Sequence, residues 1–483
     1  MTKDFIVLGG GNSGYISALI LKSRFPETKV GIVESERMGI IGVGEGSTEH
    51  WSNFLKVCDI DPIDMIRYCG ATYKLAIHYK NWKKTDYFHM VSETYSEPYD
   101  DYSCIYAKLI SENKDPKELL DSWFLESRFP KVSVDSGLIL SNQFHFDTNK
   151  LNEYLRKTCI RKGIEINRDD IIDIKINEES GNIVSLKSKD KEYHSNFFID
   201  CSGFRSEIMK KRLGVKWVSY DKYFLMNSAL AFQTEGEDII DCYTTAEARD
   251  YGWTWKIPTQ TRTGNGYVYS DLFATEEMIR DEIQKNYGDV DITKKVKFNP
   301  GRLETFWYKN CISVGLASNF IEPLEATSLT SVIQQMFCFT ATYPSKDIDR
   351  FNSSVKNIFD DIVDYVLMHY ICDRNDTPFW KYCKNNLVLT ESLRDKIESW
   401  KNRLPQRNEF GPIPWRMFKC SNYIMAMYGL GLFNTAKIGE EYDIMMGSGR
   451  KKILDDNLRQ IKNYENNVET VSHREALLKH TFF

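Results

Sequence analysis

No stretch of the chain approaches the roughly 20 consecutive apolar residues that a membrane-spanning helix needs, and the mean hydropathy is -0.44. That pattern reads as a soluble globular protein with no membrane partner. An excess of one charge is also missing: 63 Lys and Arg face 68 Asp and Glu, for a net charge of -5, and no block of like charges is long enough to form a tail. This balance argues against nucleic acid as the main partner, because phosphates call for a basic surface. The eleven cysteines include no Cys-x-x-Cys pair. An odd number scattered from Cys58 to Cys420 is no disulfide framework, so they read as mostly buried free thiols. The eight histidines include no His-x-x-x-His pair. His369 with Cys372 lacks a second pair to complete a tetrahedral site, so no structural metal is expected. Internal repeats and low-complexity stretches are absent. Met1-Thr2-Lys3-Asp4 runs straight into an apolar strand, which leaves no room for a signal peptide and makes the cytoplasm the expected compartment.

What is present begins at Phe5-Ile6-Val7-Leu8, a short β-rich run followed by Gly9-Gly10-Gly11-Asn12-Ser13-Gly14 and a helical pattern through Phe25. A second strand, Val30 to Val33, ends in Glu34, 20 residues beyond Gly14. Strand, glycine turn, helix, strand and terminal acid at these spacings form a dinucleotide fingerprint. Gly9 permits the tight turn, Gly11 lets a pyrophosphate approach the helix N-terminus, and Gly14 allows close packing. Glu34 is placed to accept from ribose hydroxyls.

A second glycine-rich loop, Ile41-Gly42-Val43-Gly44-Glu45-Gly46, comes too early for an ordinary nicotinamide domain. Much later, Phe197-Phe198-Ile199-Asp200-Cys201-Ser202-Gly203 and Ile312-Ser313-Val314-Gly315-Leu316-Ala317 each run from a buried strand into a turn of small residues. Two such strand ends more than 100 residues apart suit FAD held by a discontinuous domain. Cofactor contacts are therefore expected at Gly9, Gly11, Ser13, Gly14, Glu34, Gly44, Glu45, Asp200, Gly315 and Leu316.

Between these motifs, Phe146-Asp147-Thr148 caps a helix running to about Lys162, and Ile164 to Ser188 alternates like a strand pair with a turn at Glu178 to Asn182. Val218 to Lys297 is rich in β-formers and reads as an inserted sheet. From Thr330 the pattern turns helical. Ile358, Phe359, Ile362, Val363, Val366, Leu367 and Tyr370 recur at helical spacing with Ser353 or Ser354 as N-cap, and helices follow at Glu391 to Asn402 and Lys451 to Glu465. Aromatics from Phe379 to Phe433, Trp415 among them, supply core packing or an aromatic-lined pocket. The 483 residues exceed what one core usually serves. The expected fold is α/β, a Rossmann-like FAD-binding domain with an inserted β-sheet and a mainly helical C-terminal subdomain. Residues 1–340 form the discontinuous FAD domain with its intertwined substrate-facing sheet, and residues 341–483 cover the substrate pocket.

Gly252-Trp253-Thr254-Trp255-Lys256-Ile257-Pro258 resembles the Trp-x-Trp-x-Ile-Pro signature of flavin-dependent halogenases, particularly the tryptophan halogenase branch. Other segments agree in order: the glycine fingerprint, Gly42-Val43-Gly44-Glu45, Gly70-Ala71-Thr72-Tyr73-Lys74 followed by Asn81-Trp82, Phe146-Asp147, Gly266-Tyr267-Val268-Tyr269-Ser270, and Phe320-Ile321-Glu322-Pro323-Leu324-Glu325. The resemblance covers about residues 5–340 and extends loosely into the helical remainder.

The resemblance implies a fold of the flavin monooxygenase and halogenase type. It also implies an activity in which FAD, used as FADH2, acts with O2 and a halide ion (chloride, bromide or iodide) to make hypohalous acid that travels through a tunnel to an electron-rich indole- or phenol-type substrate. Lys74 matches the family lysine that hydrogen-bonds the hypohalous acid or forms a haloamine. Glu325 matches the catalytic glutamate that positions the halogenating species or takes the ring proton. Trp253 and Trp255 match residues that keep substrate from the flavin. With His89 and Pro323 they are expected to line the substrate pocket. With no second nucleotide fingerprint, reduced flavin is expected from a separate NAD(P)H-dependent flavin reductase, and the oligomeric state stays open, a homodimer included.

Two departures stand out. The family pattern Phe-x-x-Pro-x-x-Ser-x-Gly keeps Phe320 and Pro323, but Ala326 replaces the Ser and Ser328 replaces the Gly. Backbone N–H groups of Thr327 and Ser328 still face the halide provided that glycine was not needed for positive φ. The lost hydroxyl at Ala326 suggests an atypical enzyme that favours bromide or iodide, which are easier to oxidise than chloride. At the substrate end, Val91 stands where an aromatic ring would sandwich an indole. The competing readings are a halide-independent flavin monooxygenase and a non-catalytic FAD-binding protein.

Overall fold

The computed structural model describes residues 2–37, 39–40, 42, 45–83, 86–91, 102–114, 122–410 and 416–481; Gly44 and Trp415 lie outside the described residues. The strand Lys3–Leu8 buries Phe5, Ile6, Val7 and Leu8, so both of its faces are covered, as a parallel sheet between helices requires. It pairs in parallel with Val30–Glu34 on one side and Glu192–Asp200 on the other, and these pair in parallel with Glu165–Arg168 and Cys311–Ser313. Among the described residues this is an eight-stranded sheet, completed by the hairpin of Asp173–Ile176 with Ile183–Lys187 and by Trp307–Tyr308. The strand pair expected between Ile164 and Ser188 is thus three strands. Glu165–Arg168 leaves to edge the parallel sheet, and only the next two form the hairpin.

Among the described residues the inserted sheet has seven strands in the order Ile292–Lys297, Ser228–Glu235, Arg262–Tyr269, Gly252–Pro258, Tyr243–Arg249, Ala76–Lys80 and Tyr87–Met90. Its last two strands come from far earlier in the chain and join through the parallel pairing of Ala76–Lys80 with Tyr243–Arg249. A third, small sheet sets Phe144–Phe146 between Glu45–Gly46 and Thr72–Tyr73. It draws the second glycine-rich loop and the segment before Lys74 side by side.

The helix Asn12–Arg24 packs against Thr148–Arg161 and Thr327–Thr342. Asp147 caps Thr148–Arg161 by accepting from Asn149 N–H at 3.0 Å and Lys150 N–H at 3.1 Å, as expected. The helix Ile348–Met368 starts earlier than expected. Its cap is Asp347, which accepts from Arg350 N–H at 3.1 Å, while Ser353 and Ser354 lie inside the helix because the buried stripe reaches back through Val355 to Phe351. Helices Glu391–Trp400 and Ser448–Asn467 fall where their periodicity placed them. Trp380, Trp400 and Tyr423 pack in the core, and ten of the eleven cysteines are buried free thiols, with Cys420 half-buried. Among the described residues no helix is long and apolar enough to cross a membrane.

Candidate active site

A cavity of about 1400 Å³ opens at the C-terminal ends of Lys3–Leu8, Val30–Glu34 and Glu192–Asp200 and reaches the inserted sheet. Of the expected contacts, Gly9, Gly11, Ser13, Glu34, Glu45, Leu316, Pro323 and Ser328 are among its walls, with Trp253 and Trp255 at the sheet. The glycines divide the work as their spacing implied. Gly9 has φ +128°, and a Cβ there would lie 2.3 Å from the Cys201 carbonyl oxygen; one at Gly14 would lie 2.0 Å from the Gly9 oxygen. At Gly11 a Cβ meets nothing within 4 Å. That open surface, at the N-terminus of Asn12–Arg24, fits the close approach of a dinucleotide pyrophosphate. At the other end the indole N–H of Trp255 is buried without a partner among the described residues. Size, open glycine and orphan donor suit FAD.

Three expected contacts differ in detail. Asp200 is not a wall of the cavity: it is fully buried and accepts from Ser202 N–H and Oγ, Ile208 N–H at 2.9 Å and Met209 N–H at 3.0 Å. It therefore anchors the turn, and its neighbours Cys201 and Ser202 meet the cavity instead. Glu34 lines the cavity but already accepts from Tyr15 Oη at 2.5 Å, Arg156 Nε at 3.0 Å and Arg168 Nε at 3.3 Å. Gly315, with φ +66°, lies against Ser13, where a Cβ would come within 2.6 Å of Oγ.

Lys74 follows the small third sheet and is fully buried. Its Nζ donates to the Ser47 carbonyl at 2.9 Å, and its own carbonyl accepts from Ser141 Oγ at 2.9 Å. Burial pulls the Lys74 ammonium down to about 8, against the opposing field of Glu325. Roughly a tenth of it is therefore free amine at pH 7, and about half at pH 8.

Glu325 is buried just before the helix Thr327–Thr342. Its carboxylate accepts from the Tyr79 hydroxyl and lies 2.9 Å from His89 Nδ1 and 3.1 Å from His369 Nε2. Burial alone would raise this carboxyl; the two imidazoles overcome it and hold the group well below the usual carboxylate range. His369 Nδ1 faces the Tyr365 carbonyl at 2.8 Å, so acceptors meet both ring nitrogens. His89 Nε2 faces Asn422 Nδ2 at 2.9 Å and Tyr365 Oη at 3.2 Å. Val91 closes the same strand end and its N–H donates to the Leu75 carbonyl at 3.0 Å.

Of these neighbours, Tyr79, Tyr365 and His369 went unnoticed as site residues in the sequence. For His369 there was a signal: it extends the buried series Ile358, Ile362 and Tyr365, where an imidazole needs polar partners.

In the loop before Thr327–Thr342 the positive φ falls at Ala326, at +53°, and not at Ser328, which is already helical. Glycine freedom is thus not required at 328. A second, enclosed cavity of about 20 Å³ touches Thr327 and Ser328 at this helix start. It has room for one water or small ion. On the inserted sheet, Trp253 and Trp255 project from the same face of Gly252–Pro258 with ring centroids 6.2 Å apart. Trp255 covers Gly266, where a Cβ would come within 2.1 Å of the indole.

The family model described as tryptophan halogenase matches residues 4–440. The chain is 31% identical over 442 residues to the tryptophan 6-halogenase ThaL of Streptomyces albogriseolus, covering 83% of this chain and 82% of that one. Among solved structures, the tryptophan 6-halogenase SttH of Streptomyces toxytricini superposes with a TM-score of 0.85 at 25% identity, covering 99% of this chain and all of that one. The tryptophan halogenase of Shewanella frigidimarina shares the fold, with a TM-score of 0.87 at 24% identity over the whole of this chain and 98% of that one.

Proposed function

We propose that this chain, which belongs to the tryptophan halogenase family of flavin-dependent halogenating enzymes, halogenates an electron-rich indole- or phenol-type ring using halide, O2 and FAD delivered in reduced form by a separate reductase. The observation that carries this reading is a buried lysine, Lys74, that feels the field of a buried carboxylate, Glu325, together with a dinucleotide-sized cavity walled by Trp253 and Trp255.

Gly9, Gly11, Ser13 and Glu34 would hold the nucleotide part of FAD, and Leu316, Pro323 and Ser328, on the same cavity's walls, would hold the rest. When bound and reduced, FAD supplies with O2 the two-electron oxidation of halide to hypohalous acid. The chain's residues then control where that oxidant goes. The first-turn N–H groups of Thr327 and Ser328 offer an anion site. The bulk of Trp253 and Trp255 keeps the aromatic substrate away from the flavin. Lys74 meets the hypohalous acid as a hydrogen-bond donor, or as a free amine that is itself halogenated. Its anchoring to Ser47 fixes the point of delivery.

Glu325 acts chiefly as a fixed negative charge beside Lys74 and the cationic arenium, since a carboxylate held so low is a weak base. Residues 341–483 cover this end, supplying Tyr365, His369 and Asn422 around Glu325 and His89. Val91, with no ring to clamp an indole, leaves a wider acceptor pocket than free tryptophan requires. With Ala326 unable to donate a hydroxyl, bromide or iodide is used in preference to chloride.

The test is product analysis with reduced FAD and each halide, with Lys74→Ala alongside. A halogenated product that needs Lys74 supports the reading, and a hydroxylated product without halide dependence replaces it with a monooxygenase.

A further inference from the structure

Glu322 has no role in the mechanism above, yet it is 2% exposed and forms part of the wall of the 20 Å³ cavity at the start of Thr327–Thr342, together with Thr327, Ser328 and Gly315. An ionised carboxylate in that wall would repel the anion that the helix start attracts. In a poorly hydrated site such repulsion is large. The partners of Glu322 resolve the conflict in a definite way. Tyr370 Oη lies 2.8 Å from Glu322 Oε1 and 3.0 Å from Oε2, so one hydroxyl serves both carboxyl oxygens. Among the described residues Glu322 makes no ion pair.

The titratable groups that face it are Tyr370, beyond the helix Ile348–Met368, and Cys383, on Pro378–Asn386; both are held neutral by burial. Its near neighbour Glu325 is occupied by Tyr79, His89 and His369. The pair Glu322 and Tyr370 can therefore carry one proton or two. With one, the tyrosine hydroxyl donates to a carboxylate and the cavity wall is negative. With two, the tyrosine hydrogen is still satisfied by the carboxyl, and this wall residue carries no charge.

We infer that Glu322 is the proton-linked gate of the halide site: a halide enters the small cavity only with the carboxyl protonated, so wherever the carboxyl starts ionised one proton is taken up with each anion bound. This rests on the assignment of the halide to Thr327 and Ser328. Burial raises the Glu322 carboxyl to about 8, against the stabilising tyrosine donor, which puts the gate within the working pH range. The sign follows. Below that value the acid is neutral and the halide affinity is flat; above it, affinity falls with pH. The hydroxyl of Tyr370 favours the ionised form, so its removal moves the fall to higher pH.

The experiment is calorimetric titration of the full chain, loaded with oxidised FAD, with sodium bromide at constant ionic strength from about pH 6 to about pH 9.5, in buffers of differing ionisation enthalpy to count protons. The expected result is a Kd that is constant in the acid range and rises toward about tenfold per pH unit above the bend, with close to one proton taken up per bromide there. Glu322→Gln should bind bromide with no bend and no proton uptake, and Tyr370→Phe should shift the bend upward. A pH-independent Kd without proton uptake in the unaltered protein, or the same bend retained in Glu322→Gln, overturns the gate while leaving the halide site in place. Bromide that fails to bind at any pH overturns the halide assignment itself, and the gate with it.

Discussion

His369 Nε2 and Glu325 Oε1 lie 3.1 Å apart, both fully enclosed, where the end of Ile348–Met368 meets the loop before Thr327–Thr342. The contact ties the late helical part of the chain to a carboxylate whose field reaches Lys74, and with His89 it holds that carboxyl low. His369→Ala should let the Glu325 carboxyl rise, weakening the field that holds Lys74 up. Turnover should drop on the order of 10²-fold while FAD affinity is unchanged. Single-turnover kinetics and flavin binding check this, and equal losses in both would point to misfolding instead.

Lys74 is expected to lose its proton with a midpoint near 8. The sign is that of a buried ammonium: mostly charged at pH 7, half neutral at pH 8, and free amine above. Nitrogen-15 NMR of labelled lysine side chains should show one Nζ titrating far below the rest. Glu325→Gln should move that midpoint further down, because the carboxylate raises it. An unmoved midpoint would separate the two residues electrostatically.

The glycine turn offers a sharper contrast. Gly11→Ala meets no neighbouring atom and should leave thermal stability unchanged while weakening FAD binding, since the new methyl projects where the pyrophosphate approaches. Gly14→Ala would press on the Gly9 oxygen and should cost about 1–3 kcal/mol in folding. Thermal melts and flavin titration on both variants distinguish the two roles.

Ala326 carries its left-handed backbone at a cost. Ala326→Gly relieves roughly 1–2 kcal/mol of conformational strain and returns roughly 0.4–1 kcal/mol to the unfolded chain. A net gain of about 0.5–1 kcal/mol is expected from denaturant unfolding. A destabilised glycine variant would show that the methyl packs usefully.

Much of this architecture was legible beforehand, and for definite reasons. The glycine turn and Glu34 stand at spacings that few other structures need, and the Trp253–Trp255 strand carries its own alternation. Asp147 was readable as a cap because its helix follows at once. What escaped was non-local. Nothing near Ala76–Lys80 says that it pairs with Tyr243–Arg249, and Asp200 looked like a ligand because a buried acid at a strand end serves a turn and a cofactor equally well. Ser353 and Ser354 are as good cap residues as Asp347, so local sequence does not decide where Ile348–Met368 begins. The companions of Glu325 come from three distant segments, so only the fold could assemble them.

Halide choice gives a competition test. With chloride and bromide both present in equal amount, brominated product should dominate. Equal or better use of chloride would remove the argument drawn from Ala326.

The most direct test of the central claim is mass spectrometry of products formed from a panel of indoles and phenols by the protein with FAD, NADH, an unrelated flavin reductase and each halide in parallel, with Lys74→Ala beside it and catalase present. The account predicts a halogen-shifted product that requires both reduced flavin and Lys74 and survives catalase, with the variant slower on the order of 10²–10³-fold while still consuming NADH. A hydroxylated product indifferent to halide, or halogenation that proceeds equally without Lys74, would contradict it.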